Sequence, residues 1–223
     1  MNHKILNKLE QMIHVSPQLL RQPETLKHAI QGTFDIELDD VNYTNVGELV
    51  DRIDDKILDN YFRNYWQASL SKYKYSGPAI INEVNASKPR KVLDIGCGAH
   101  EFKGKIDNLI GIDPYHSNAD IEVKLLDYHP TEKFDATLAL GSINFGSTDK
   151  IFAELEHAVS LCNPGALMFF RANPGMPHDK ESDRSGGEQS RWISFYPWDA
   201  NFIINSADQL NVDILDIKTD THK

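Results

Sequence analysis

The sequence predicts an α/β protein, with a doubly wound, mostly parallel sheet of about six to seven strands behind a helical N-terminal extension. Three observations carry that expectation. From Lys91 onward, short apolar runs alternate with helical stripes at close intervals, as strands joined by crossovers do. The first run, Val92-Leu93-Asp94-Ile95, ends in Gly96-Cys97-Gly98, glycines placed where a strand must turn sharply. The second, Leu109-Ile110-Gly111-Ile112, ends in Asp113, nineteen residues after Asp94.

The elements follow in order. Ile5, Leu6, Leu9, Met12 and Ile13 recur at helical spacing over Lys4 to His14. Ser16-Pro17 suits the start of a second helix toward Ile30, because proline fits a first turn. Gln31 to Thr44 is polar and acidic, a solvated loop or short edge hairpin. Asn45 followed by Glu48 reads as a capped start. The stripe Val46, Leu49, Val50, Ile53, Ile57, Tyr61, Phe62 and Tyr65 then predicts a long helix ending near Leu70. Phe62 and Trp66 are expected in the core. Ser76-Gly77-Pro78 opens a helix to about Ala86, with Ile80, Ile81 and Val84 inward, and Pro89 closes it. The expected strands are Lys91–Ile95, Asn108–Ile112, Asp120–Lys124, Ala136–Leu140, Ala166–Arg171 and Val212–Lys218. Between the first two, His100 to Asp107 leaves room for barely two helical turns. Ser147 or Thr148 caps a helix through Leu155 and Ala158, which Asn163-Pro164-Gly165 stops before the strand Ala166-Leu167-Met168-Phe169-Phe170. Pro174 to Arg191 reads as a loop and Trp198 to Leu210 as the last helix. Residues 1–75 thus form a helical segment and 76–223 the sheet domain.

Composition narrows the function. A net charge of −10 argues against a broad nucleic-acid surface, which normally carries a basic excess. Two cysteines, Cys97 and Cys162, make no disulfide framework, and the N-terminus lacks a signal-peptide core, so a cytoplasmic location is expected. No apolar run approaches membrane length.

Glycines at a strand-to-helix turn let backbone N–H groups approach a ligand, and an acid ending the next strand can hold ribose hydroxyls. The spacing of Asp94, Gly96 and Gly98, then Asp113-Pro114, then Leu126-Asp127-Tyr128, then Phe134-Asp135 with Gly141-Ser142, then Leu161-Cys162-Asn163-Pro164-Gly165, resembles the ordered motifs of class I S-adenosylmethionine (SAM)-dependent methyltransferases, Rossmann-like enzymes. The likeness covers about 91–170 in detail. It implies SAM as cofactor, held by Asp94, Gly96, Cys97, Gly98, Asp113, Pro114, Asp127, Tyr128, Gly141 and Ser142. In that family Asp113 would take the ribose, Asp127 the adenine amino group, and Gly141 and Ser142 would lie beside the methionine end. The N-terminal helices would pack over the SAM site. Two closing strands usually follow the last helix. Here the chain looks one short, unless Trp192–Tyr196 replaces it.

A nicotinamide or flavin dinucleotide is the competing ligand. Its fingerprint wants a third small residue where this chain has Glu101. Candidate acceptor-side residues are Asn144, Arg171 and Tyr65, with Tyr73, Asn173, His178 and Tyr196 beside them. Arg171 ends a strand where α/β ligands bind and can hold a carboxylate or phosphate. His100 and His129 are possible general bases, though such histidines more often pack. The His178, Asp179, Glu181 and Asp183 group lacks tight ligand spacing, and no metal site is expected. The Asn/Asp-Pro-Pro-Tyr signature, the Pro-Cys nucleophile and the paired-glutamate loop of other methyltransferases are absent, so nucleic acid is an unexpected acceptor. No catalytic residue is identified. The expected activity is methyl transfer to a small molecule or protein side chain. A non-catalytic SAM-binding or Rossmann-like scaffold is the alternative, and an aminopropyl transferase is a third.

Overall fold

The computed structural model describes residues 1–66, 73–172 and 191–219. They divide into two units, one of residues 1–66 with 191–195, the other of 73–172 with 196–219.

The first unit is helical. α1 (His3–Val15) starts where the Asn2 carboxamide oxygen accepts the N–H groups of Lys4 and Ile5. The Asn2 Nδ2 donates to Asp54 Oδ1 at 2.8 Å and to the Trp192 carbonyl at 2.7 Å, so one buried side chain ties three segments together. Pro17–Arg21 is only a 3-10 turn. α2 (Pro23–Phe34) begins afresh, with Pro23 in its first turn, and runs past Ile30 to the left-handed Asp35. α3 (Val46–Asn64) is capped by Asn45 Oδ1, which accepts the Glu48 N–H at 3.0 Å. Glu48 reaches back to the N–H and hydroxyl of Thr44 rather than to the cap itself. α3 stops at Asn64, short of Leu70, because Tyr65 leaves helical geometry. Ile5, Leu9, Ile30, Phe34, Val50, Ile53 and Ile57 are buried, whereas Phe62 and Trp66 are half-buried.

The second unit carries the sheet. α4 (Pro78–Ala86) leads to β1 (Val92–Ile95), β2 (Leu109–Ile112) and β3 (Phe134–Leu140). α5 (Thr148–Ser160), β4 (Cys162–Arg171) and α6 (Ala200–Leu210) follow. All four strands are parallel, in the order β2-β1-β3-β4. Asp94 stands opposite Gly111 and Leu138, and Leu140 stands opposite Arg171. One face packs Val92, Ala136 and Leu138 against Ile80 and Val84 of α4. The other packs Leu93, Ile95 and Ile112 with Ile151, Leu155 and Ala158 of α5 and with Trp198. Each fully buried aliphatic side chain contributes about 1.5–3 kcal/mol, which is what seats these short strands.

The fold is the expected Rossmann-like α/β sheet, with four strands among the described residues rather than six or seven. Asp120–Lys124 makes a single bridge, Ile121 to Ile112. The Asp120 carboxylate accepts the Gly111 N–H at 2.9 Å, and Glu122 and Lys124 are exposed. Val212–Lys218 forms no strand, and Leu215 and Ile217 are exposed. Its alternate residues are Val212, Ile214, Asp216 and Lys218 on one side and Asp213, Leu215 and Ile217 on the other. Neither set is wholly apolar, so neither face can be buried cleanly. Trp192–Tyr196 supplies no replacement strand. β4 starts earlier than expected, at Cys162, and takes in Asn163-Pro164-Gly165 across a register shift opposite Phe134 to Ala136. The loop expected at Pro174 to Arg191 lies outside the described residues up to residue 190. No helix among the described residues is long and apolar enough to cross a membrane.

Candidate functional site

In a doubly wound sheet, ligands bind beyond the carboxyl ends of the strands, where the strand order reverses. Here that point lies between β1 and β3. β1 delivers Asp94 and Gly96 to it, and β3 delivers Gly141 and Ser142.

The β1 turn is closed on itself. Gly96, Gly98 and His100 all have positive φ, folding the chain tightly over the end of β2. The N–H groups of Gly96 and Cys97 both donate to the Ile112 carbonyl, at 2.8 and 3.1 Å. The Gly98 N–H donates to Asp113 Oδ2 at 3.0 Å, and those of Tyr115 and His116 donate to Asp113 Oδ1 at 2.7 and 3.0 Å. The Asp113 carboxylate thus holds the β1 turn and the Pro114 turn together, with three of about four acceptor positions used. No helix follows the glycines. Residues 97–107 form a string of turns, so the end of β1 carries no helix N-terminus. Cys97 and His100 pack over Gly111, where a Cβ would lie 2.8 Å from the sulfur and 2.5 Å from His100 Nε2. His100 Nδ1 contacts the Asn118 carbonyl at 3.1 Å, and Nε2 stands 3.6 Å from Asp120 Oδ2. Lys103 anchors Asp120 at 2.5 Å. Although burial raises the Asp120 pKa, the hydrogen bonds from Lys103 and Gly111 outweigh it and leave the carboxyl below its ordinary range. Burial pushes the Cys97 thiol up, and the nearby carboxylates add to that shift, so it is no nucleophile.

The other polar groups at the crevice are arranged differently. Asp94 is 3% exposed, and its Oδ2 has no hydrogen-bond partner. Burial, then the neighbouring Asp113 charge, pushes its pKa up to about 7. Ser142 Oγ is also buried and partnerless. Gly96 lies directly against it, since any Cβ at Gly96 would overlap the Ser142 Cβ. Two unsatisfied polar atoms therefore lie on adjacent elements, one on β1 and one just after β3. Buried groups left without partners are rare, and both of these can bond a polar ligand.

Arg171 closes the far side. Its guanidinium donates to the Leu140 carbonyl and, at 3.2 Å, to Ser76 Oγ. It also lies 3.8 Å from the centre of the Tyr73 ring. A Cβ at Gly141, whose φ is +106°, would lie 2.8 Å from Arg171 Nη2.

The remaining expected residues are more scattered. Asp127 is exposed in a 3-10 turn, Leu125–Asp127. The Tyr128 ring is buried against Phe134, and its carbonyl meets His157 Nε2 at 2.9 Å. Asn144 is 1% exposed, and its carbonyl accepts the Tyr196 N–H at 2.7 Å. His129 packs edge-on against His157. Tyr65 belongs to the first unit and is largely exposed. Asn173, His178, Asp179, Glu181 and Asp183 lie outside the described residues. Sequence reasoning named Arg171 and Tyr73 separately but missed Ser76, their meeting over Gly141 and the Asp120 anchor, none of which leaves a local pattern. A groove between α5 and α6, lined by Phe152, Glu156, Phe202 and Asn205 among others, shares no residue with these motifs.

No protein-family model and no curated protein matches the chain. Among solved structures it is similar to the 1,6-didemethyltoxoflavin-N1-methyltransferase of Burkholderia thailandensis, solved with 1,6-didemethyltoxoflavin and S-adenosylhomocysteine bound. The identity is 11% and the TM-score 0.50, over 78% of this chain and 83% of that one. It is also similar to the N-methyltransferase NodS of Bradyrhizobium japonicum in complex with S-adenosylhomocysteine, at 15% identity and a TM-score of 0.44, over 58% and 71%. A third likeness is to SAM-bound CalS10, an amino pentose methyltransferase of Micromonospora echinaspora, at 16% identity and a TM-score of 0.37, over 44% of this chain. The match covers 52% of CalS10, about half its length. The first of these likenesses establishes the fold, that of class I SAM-dependent methyltransferases.

Proposed function

We propose that the chain is a SAM-dependent methyltransferase whose acceptor is a small molecule. The observation that carries this reading is the pair of buried, partnerless atoms, Asp94 Oδ2 on β1 and Ser142 Oγ just after β3, on the two strands that border the point where the strand order reverses. A carboxylate and a hydroxyl in that position suit the ammonium of a donor's amino-acid end. Asp113, Pro114, Asp127 and Tyr128 follow along the sheet edge toward the ribose and base, with Gly96, Cys97, Gly98 and Gly141 beside it. SAM supplies a methyl group already activated by its sulfonium. The protein's part is therefore to align donor and acceptor and exclude water, with a base needed only for a hydroxyl or ammonium acceptor. Asn144 and Arg171 are the acceptor-side candidates of the sheet unit. The small molecule bound in the similar Burkholderia thailandensis structure, 1,6-didemethyltoxoflavin, supports a small-molecule acceptor. Two free cysteines are in keeping with the cytoplasmic location expected from the sequence.

Calorimetric titration tests the cofactor, with binding of SAM and S-adenosylhomocysteine expected and no heat with either overturning the reading. Mass spectrometry of a metabolite extract incubated with the protein and isotopically labelled SAM tests the reaction. Binding without any labelled product would place the chain with non-catalytic SAM-binding proteins.

A further inference from the structure

The groove between α5 and α6 shares no residue with the strand-end motifs, and it is built on a repeating plan. It encloses about 490 Å³. α5 lines it with Asp149, Phe152, Ala153 and Glu156, a spacing of i, i+3, i+4 and i+7. α6 lines it with Phe202, Asn205, Ser206 and Gln209, the same spacing. Each wall is therefore one straight stripe of two helical turns, about 10.5 Å long.

The α5 stripe has an exposed carboxylate at each end, Asp149 and Glu156, and half-buried apolar side chains between them, Phe152 and Ala153. On the other wall, Phe202 packs on Tyr196 and Trp198, with ring centres 4.9 and 5.2 Å away, which holds it in place. Among the described residues, no lysine or arginine lines the groove. The basic side chains of α5 are engaged elsewhere. The Lys150 stem packs on Gly146, and His157 Nε2 meets the Tyr128 carbonyl. α6 carries no basic residue. The net charge of −10 adds a field that draws cationic partners.

We propose that this groove docks a basic amphipathic helix of a partner protein. Two stripes of helical period along one groove accept a third helix as a straight rod. The α5 stripe sets the partner's register. Lysine or arginine at two positions seven apart meets Asp149 and Glu156. Apolar residues three and four positions after the first cover Phe152, Ala153 and Phe202. That pattern reads the same in either chain direction, so it fixes register and leaves polarity open. Asn205 and Gln209, both exposed on α6, add uncharged hydrogen-bonding groups and no charge requirement. Because the two carboxylates are exposed, they orient the partner and speed encounter, while the phenyl rings supply the holding contact. The proposal stands independently of methyl transfer.

The test uses a fluorescent, alanine-rich helical peptide with lysine at positions i and i+7 and leucine at i+3 and i+4, and a twin with glutamate for both lysines. By fluorescence anisotropy, the wild-type chain should bind the lysine peptide about tenfold more tightly than the twin, the yield of two exposed ion pairs. Asp149→Lys combined with Glu156→Lys should invert that preference, and Phe152→Ala should weaken the lysine peptide without inverting it. Asp149 lies in the first turn of α5, where lysine opposes the helix dipole. Glu156→Lys alone therefore serves if the double variant fails to fold, and it should abolish the preference. Equal binding of the two peptides, binding of neither, or a preference that survives charge reversal overturns the proposal. A wild-type dimer in sedimentation velocity that Glu156→Lys dissociates would assign the groove to a second copy of the chain and overturn it as well.

Discussion

The two sides of the crevice are built on opposite principles. On the β1 side, every polar group of the glycine turn with a recorded bond is spent inside the chain, on Ile112, Asp113 or its own turn. At the β1–β3 junction, by contrast, Asp94 Oδ2 on β1 and Ser142 Oγ just after β3 are buried without partners, and a guanidinium is held over Gly141. The difference teaches that the most recognisable motif is here chiefly architectural.

Three substitutions bear on that contrast, taken from the largest expected effect down. Gly96→Val should be the most damaging. It puts a β-branched side chain at φ +69° and drives it into Ser142. Left-handed strain and overpacking together cost about 3 kcal/mol or more, read as a lower denaturation midpoint. A midpoint unchanged within error would mean that the two sides do not touch as described.

Asp94→Asn should act in the other direction on stability. With a folded pKa of about 7 against 3.8, the native state holds a proton that the unfolded chain gives up. The protonated carboxyl's contribution is fully present below about pH 4, declines as pH rises toward 7, and is flat above. Asparagine has no such decline, so the variant should match wild type in acid and exceed it at pH 8 by on the order of 2–4 kcal/mol. Its SAM affinity should fall, as expected where function keeps a costly group buried. Urea denaturation at pH 4 and pH 8 reads both arms, and a stability difference independent of pH would contradict the assignment.

Gly111→Ala sharpens the picture of the closed side. Its methyl would lie 2.5 Å from His100 Nε2, costing about 1–3 kcal/mol. Because His100 has φ +59°, His100→Gly in the same chain should recover most of that loss. Additive effects in the double variant would show that His100 does not lie over β2.

How much of this was legible varies with the physics of each element. Helix stripes and strand runs are local patterns, so α1, α5, β1 to β3 and the start of α3 were readable to within a few residues, while α3 ends six residues earlier than expected. Chain-level spacing likewise brought Asp94, Gly96, Asp113 and Gly141 to neighbouring strand ends. Edge strands were not readable. Asp120–Lys124 and Val212–Lys218 have strand-like composition, but pairing depends on what lies alongside, and at Gly111 a side-chain carboxylate took a ladder donor. The missing helix after Gly98 was half visible in the short 100–107 segment.

By itself, the sequence determined the α/β class, the strand-end acids and the glycines, because periodicity and turn chemistry act over a few residues. Only the tertiary structure decided which of those groups are already satisfied and which still seek a partner. That depends on residues such as Ser76 and Arg171, 95 positions apart along the chain, meeting over one glycine. Hydrogen-bond satisfaction is a property of the packed neighbourhood and leaves no local mark on the sequence.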